Sequence, residues 1–357
     1  MSSSQENRLI NAQVLLQWFA LLLMVFLALN PRVILSTEHF VGGVTRDTYD
    51  HIALIDLWQL EVQDWNFPTG GSVLAPDFFG MLLARPFLFL GRGIAYDFSI
   101  VLQVWLNCLA GWFLGRRLGS AWVGAIALGF SPYLLGQINS GEMETLSIWP
   151  LVFTVLASFE RKWKQAGIWG AITAIGSWYY GAYAAILLAI IIGKEVWKRE
   201  FSALKGLAWM GGLIALPALY YAQFLSRADQ MFRGPTMETY LTEHPRALAG
   251  FSSDPLAWVS EPAVDSNHVD SLGWIFLLFA FLGFRKASKK ERLFWGTMVC
   301  LGLCLSLGPK LHISRVIVWE WMPYDLLVLL PPLDLMRLPH RWLVVAMIGL
   351  TALIAKG

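Results

Sequence analysis

The charges of this chain are sorted between alternate gaps separating its apolar runs, and that sorting constrains the fold more than any single motif. Basic residues crowd one set of gaps: Arg116 and Arg117; Arg161, Lys162 and Lys164; Lys194, Lys198, Arg199 and Lys205; then Arg285, Lys286, Lys289, Lys290 and Arg292. Acidic residues crowd the others: Asp47, Asp50, Asp56, Glu61, Asp64 and Asp77, then Glu142 and Glu144, then a run from Asp229 to Asp270. Positively charged loops stay in the cytoplasm. The alternation therefore predicts a cytoplasmic N-terminus, with the carboxylates and the chemistry they support facing outwards.

Composition agrees. Charged residues are 15% of the chain and hydrophobic residues 56%, whereas a soluble domain carries about 25% charged residues. The reading is an all-α polytopic membrane protein. Val14 to Leu29 is too long for a signal-peptide core and lacks a small-residue cleavage site, so it reads as an uncleaved first span. Cys108, Cys300 and Cys304 all sit in apolar runs, which gives no disulfide framework and no zinc site.

Spans are expected near 14–30, 95–115, 119–136, 144–159, 165–177, 179–197, 203–224, 271–285, 292–309 and 339–356, about ten helices, several of them short. The apolar run over 165–197 is split at Ser177-Trp178-Tyr179-Tyr180-Gly181, because one span there would carry Lys194, Lys198 and Arg199 to the acidic side. Short or broken helices are tolerated where protein encloses them. With this arrangement 16 basic and five acidic residues lie inside, leaving 11 of the 27 basic and 20 of the 25 acidic residues outside. Residues 78–92 and 316–335 are expected as juxtamembrane helices along the outer face, since a crossing by the first would invert every later loop. The 357 residues form one transmembrane domain, with outer segments at 30–94, 225–270 and 310–338.

Three outer clusters carry candidate chemistry. Asp47, Asp50 and His51 share one face of a helix at i, i+3 and i+4. They would serve as a general base, a metal site or both, and the same spacing also fits a solvated helix face with Asp47 as N-cap. Glu142 and Glu144 converge in a turn as ligands for a divalent cation, or else complement a helix dipole. Arg337, His340 and Arg341 would clamp a phosphate by fork-like hydrogen bonds, or serve as snorkelling anchors at the headgroups. The positive-inside bias does not account for these arginines. All six histidines fall in outer segments, which weighs against a haem held within the bilayer. There is no P-loop, Gly-x-Ser-x-Gly elbow or His-Glu-x-x-His motif, and nucleic-acid binding has no support.

Taken in order, these residues resemble the integral-membrane GT-C glycosyltransferases, in particular the bacterial protein-mannosyltransferase-like group. Asp47 and His51 match the Asp-x-x-x-His of the family's first outer loop, although Arg46 stands where the family has glycine. Asn66-Phe67-Pro68-Thr69-Gly70 looks like its aromatic-Pro-x-Gly turn. Phe130-Ser131-Pro132-Tyr133, Ser140-Gly141-Glu142-Met143-Glu144 and Trp149-Pro150-Leu151 resemble its Ser-Pro-Tyr, Gly-His-x-Glu and Trp-x-Pro-Leu elements, with Glu142 in the place of His. Leu307-Gly308-Pro309 and Arg337 to Arg341 resemble its late Leu-Gly-Pro and Arg-x-Pro-x-Arg elements.

The resemblance implies a GT-C-like bundle that moves a sugar from a polyprenyl-phosphate-linked donor to a lipid, glycan or protein acceptor at the outer face. Asp47 would be the general base, supported by Asp50 and His51. Arg337, His340, Arg341, Glu142 and Glu144 would bind substrate and phosphate. A divalent metal, Mg or Mn, would take Asp47 and Glu144 in those branches of the family that use one. The family's members continue with further spans or an outer domain, so the chain is expected to be a truncated or minimal form. A non-catalytic scaffold of the same fold and a lipid or solute transporter are the rival readings. The transporter is disfavoured because the acids lie in outer loops rather than at the bilayer midplane.

Overall fold

The computed structural model describes residues 3–36, 39–42, 52, 78–227, 252–259, 271–314, 316–329 and 338–357. Asp47, Asp50, His51 and Arg337 lie outside the described residues. Among those described the protein is nearly all-α. Four stretches are long and apolar enough to cross a bilayer: Arg92–Leu118, Ala121–Ser140, Trp178–Trp197 and Phe201–Leu219. Ala12–Ala28, Phe78–Leu90 and Met143–Phe159 are shorter apolar helices.

The helices run in order as α1 (Ser3–Ala28), α2 (Pro31–Ile34), α3 (Phe78–Ala84), α4 (Arg92–Leu118), α5 (Ala121–Gly129), α6 (Pro132–Ser140), α7 (Trp149–Phe159), α8 (Trp163–Gly176), α9 (Trp178–Trp197), α10 (Leu204–Arg227), α11 (Trp274–Lys286), α12 (Lys289–Ser306), α13 (Tyr324–Val328) and α14 (Leu343–Lys356). Their hub is α14. Every residue from Leu343 to Ala355 is buried, as an all-apolar helix requires when it is covered on all sides. Helices α4, α5, α11 and α12 pack around it. Helix α10, with Pro217 inside it, sits at the rim with Leu216 and Leu219 exposed.

Local chemistry explains the breaks. The span expected at 119–136 divides into α5 and α6 at Ser131-Pro132, where the Ser131 hydroxyl caps α6 by accepting from the Leu134 N–H at 3.2 Å and Pro132 takes the first helical position. The apolar run over 165–197 does split at Ser177. This residue adopts an extended backbone that ends α8 and caps α9, and the two helices pack together so that Gly181 meets Ala174 with no room for a side chain. Helices α4 and α5 approach as closely: a Cβ on Gly111 would run into the Gly124 carbonyl oxygen.

The two-sided charge pattern has a physical counterpart at one end of the bundle. Glu160 pairs with Arg117 and Lys162, and Glu195 with Arg161 and Lys198. Glu291 pairs with Lys356, and Lys286 donates to the Gly357 carbonyl. The Ala355 carbonyl lies beside Gly119, so the basic gaps of the sequence meet there. At the opposite end Val41 bonds Asp97, the Ser253 N–H donates to the Ser306 carbonyl, and Gly308 lies against Ser252 and Pro339.

The juxtamembrane helix expected over 316–335 instead begins as a strand. Leu311–Ile313 (β1) and Val316–Trp319 (β2) pair antiparallel, and only the short α13 follows. Leu-His-Ile and Val-Ile-Val-Trp are rich in β-branched and aromatic residues, which favour a pleated strand over a helix. The aromatic content that reads as interfacial belongs partly to this hairpin, where Trp319 and Trp321 remain exposed.

Candidate functional site

The site grows out of the irregular segment between α6 and α7. Gly141 closes α6 in the left-handed conformation (φ +76°), which glycine adopts at no steric cost. The chain then makes a single 3-10 turn at Met143–Thr145 and re-enters regular helix only at Trp149. Residues 141–148 are nonetheless buried apart from half-buried Glu144. Irregular backbone at such depth survives only where protein groups satisfy it.

Those groups come from α4 and α9. Ser99, Gln103 and Asn107 stand at i, i+4 and i+8 on α4 and face the segment. Asn107 donates to the Leu146 carbonyl at 2.7 Å, and Ser147 donates to Gln103 at 2.6 Å. The Ser99 hydroxyl lies 3.9 Å from the Met143 sulfur while donating to the Gly80 carbonyl. From α9 the Tyr180 hydroxyl donates to the Thr145 carbonyl at 2.8 Å and lies 3.1 Å from the Tyr133 hydroxyl. Thr145 closes the turn by donating its own hydroxyl to the Glu142 carbonyl.

Onto this platform the leading turn of α14, Pro339–Trp342, delivers Arg341. Its side chain is 4% exposed. Nη2 donates to Glu142 Oε2 at 2.6 Å and to Glu144 Oε1 at 3.1 Å. The guanidinium carbon sits 4.5 Å from the centre of the Tyr179 ring, a cation–π arrangement. Next door the Trp342 and Tyr183 rings lie 4.0 Å apart. His340 is buried in the same turn. One cation thus faces two carboxylates over an aromatic floor. Arg341 Nε has no hydrogen-bond partner among the described residues.

Of the sequence candidates the structure brings together Glu142, Glu144, His340 and Arg341. Asp47, Asp50, His51 and Arg337 fall outside the described residues. Arg341, expected to clamp phosphate together with Arg337 and His340, is engaged by the two acids expected to bind metal or phosphate. Among the described residues no three His, Cys, Asp or Glu side chains gather as a metal-ligand set. A metal role for Glu144 would therefore rest on Asp47 as its partner.

Several contributors are absent from the sequence candidates. Tyr179, Tyr180 and Tyr183 lie at a helix break that the sequence marks only as topology, and a tyrosine cluster at a break between apolar runs is their signal. Asp97 is fully buried in the first turns of α4, accepting the Val41 N–H at 2.9 Å through Oδ1, with Oδ2 unpartnered among the described residues. A lone acid at the head of an apolar run is costly to bury and marks a functional or anchoring position. It holds the last described turn before Asp47. The adjoining Gly42 is pressed against the Ile138 carbonyl on α6, so the first loop leaves from beside the Glu142 turn.

No family model and no solved structure matches the chain. It is 25% identical over 169 residues to an apolipoprotein N-acyltransferase of Prochlorococcus marinus, across 43% of this chain and 33% of that protein. The match thus spans about a third of the relative's length.

Proposed function

We propose that the chain is a GT-C-type glycosyltransferase of the bacterial inner membrane. It moves a sugar from a polyprenyl-phosphate-linked donor to a lipid, glycan or protein acceptor at the outer face. The observation that carries this reading is the union of Glu142 and Glu144 with Arg341. Two motif elements picked out by the resemblance, 199 residues apart, meet at the end of the bundle opposite the basic loops. In this account about ten helices cross the bilayer with the N-terminus in the cytoplasm.

The division of labour follows from charge. Asp47, with Asp50 and His51, takes the proton from the acceptor hydroxyl, a contribution of about 10²–10⁴-fold. The donor's bond to phosphate breaks as the new glycosidic bond forms, and negative charge gathers on the departing polyprenyl phosphate. Arg337, His340 and the unused Nε edge of Arg341 offset that charge. Glu142 and Glu144 hold Arg341 in place while Tyr179 supports its face. Where a divalent ion is used it would sit on Asp47 and Glu144 and supply Lewis-acid stabilisation of the phosphate.

The match to an N-acyltransferase favours a second reading, transfer of an acyl group at the same surface. One experiment separates the two. Membranes containing the overproduced chain are offered polyprenyl-phosphate donors labelled in the sugar and, separately, phospholipids labelled in the acyl chain. The glycosyltransferase reading expects sugar label to move and acyl label to stay. Transfer of acyl label alone would replace it with the second reading, and transfer of neither would leave a scaffold or transporter.

A further inference from the structure

At the basic end, away from the Glu142–Arg341–Glu144 cluster, a groove of about 620 Å³ opens between α9, α12 and the corner joining α7 to α8. Its walls are hydrocarbon, with Leu187 and Ile190 on one side and Leu293, Met298 and Leu301 on the other. Lys194, Lys289 and Lys290 stand on the same lining, with Arg161 and Lys198. Among the described residues the one carboxylate there, Glu195, is already held by Arg161 at 2.9 Å and Lys198 at 3.0 Å. Lys290 lies over the Phe159 ring at 4.6 Å. Among the described residues no carboxylate pairs with Lys194 or Lys289.

An apolar slot with a net positive mouth selects its occupant by both features. Inorganic phosphate would satisfy the lysines and leave the slot open to water or lipid. A zwitterionic lipid would bring its own cation to a mouth that already has an excess. A helix from another protein would fill the slot without supplying an anion. We propose that this groove binds an anionic diacyl phospholipid, one acyl chain between α9 and α12 and the headgroup phosphate on Lys194, Lys289 and Lys290. Basic pockets between membrane helices hold anionic headgroups on this principle, each lysine near the surface adding to the attraction. The site is separate from the transfer chemistry and stands whichever group the enzyme moves.

The full chain, purified in a neutral detergent, is titrated with phosphatidylglycerol or phosphatidylcholine, and retained lipid is counted by native mass spectrometry. Wild type is expected to prefer phosphatidylglycerol by roughly tenfold or more. Combining Lys194→Gln, Lys289→Gln and Lys290→Gln should erase the preference, whereas Lys205→Gln, a cation outside the groove lining, should keep it. The three lysines are exposed, so their loss leaves the core intact. The matching Lys→Arg changes should restore binding. Equal retention of the two lipids, or a triple variant that behaves as wild type, would overturn the proposal. So would phosphate ion alone displacing the lipid, or a photoreactive residue at Ile190 capturing protein rather than lipid in native membranes.

Discussion

Arg341 donates to Glu142 across 2.6 Å although 199 residues separate them in the chain. That contact fastens the leading turn of the central helix α14 to the irregular segment between α6 and α7. Both sides are buried, so the pair is expensive to break from one side only. Removing one partner of such a pair leaves an uncompensated charge and costs about 3–5 kcal/mol. Arg341→Gln should therefore lower thermal stability sharply. Adding Glu142→Gln and Glu144→Gln should recover part of the loss, because the stranded charges go with them. Strictly additive losses in a thermal-unfolding series would show that the three side chains are not coupled.

Tyr180 bridges two groups that would otherwise lack its hydroxyl, Tyr133 and the Thr145 carbonyl. Tyr180→Phe keeps the ring and removes the bridge, so a loss of about 1–3 kcal/mol is expected. The measurement is the unfolding midpoint in detergent, and an unchanged midpoint would mean that the hydroxyl contributes nothing to the platform.

The close approach of α4 and α5 at Gly111 and Gly124 leaves no space for a branched side chain. Gly124→Val should force the helices apart and cost about 1–3 kcal/mol or more, seen as reduced yield of monodisperse protein on gel filtration. Wild-type yield and midpoint would contradict the packing described here.

Acid should weaken the fold in two stages. Burial pushes His312 below its ordinary value of 6.5, with the Lys310 hydrogen bond and Asp254 partly opposing. The unfolded chain then binds a proton that the folded chain resists, so stability falls as pH drops below about 6.5. Glu160 and Glu291 move the other way. Burial opposes their charge, but Lys162 and Arg117 for Glu160, and Ser288 and Lys356 for Glu291, hold both below 4.5. Their contribution is present above that pH and is lost as pH falls through the lowered values. Unfolding midpoints from about pH 8 to about pH 2 should show both stages. His312→Gln should remove the first, and a profile unaltered by it would refute that assignment.

Much of this architecture was legible because local rules govern it. Basic gaps predict an end rich in cations, and there Glu160, Glu195 and Glu291 pair with Arg117, Arg161 and Lys356. The break at Ser177 was readable from charge balance alone. Partnerships were harder to foresee. Helical spacing places Glu142 near a helix end but does not reveal that its counter-ion comes from Arg341. Likewise Ser99, Gln103 and Asn107 show a polar stripe on α4, yet only the structure supplies the bent segment that they satisfy. The β1–β2 hairpin was hidden because tryptophans signal an interface whether they sit on a helix or a strand.

Orientation is open to a chemical test. In a background carrying Cys300→Ser and Cys304→Ser, Thr48→Cys should react with an impermeant thiol reagent added to intact cells, and Ser288→Cys should not. The reverse pattern would invert the bundle.

On the proposed reading the end bearing the Arg341 cluster transfers sugars with Asp47 as base. Its most direct test compares wild type and Asp47→Ala, at matched membrane levels, for movement of labelled sugar from a polyprenyl-phosphate donor. A loss of about 10²–10⁴-fold is expected in the variant, with insertion and thermal stability unchanged. Undiminished transfer by Asp47→Ala would contradict it.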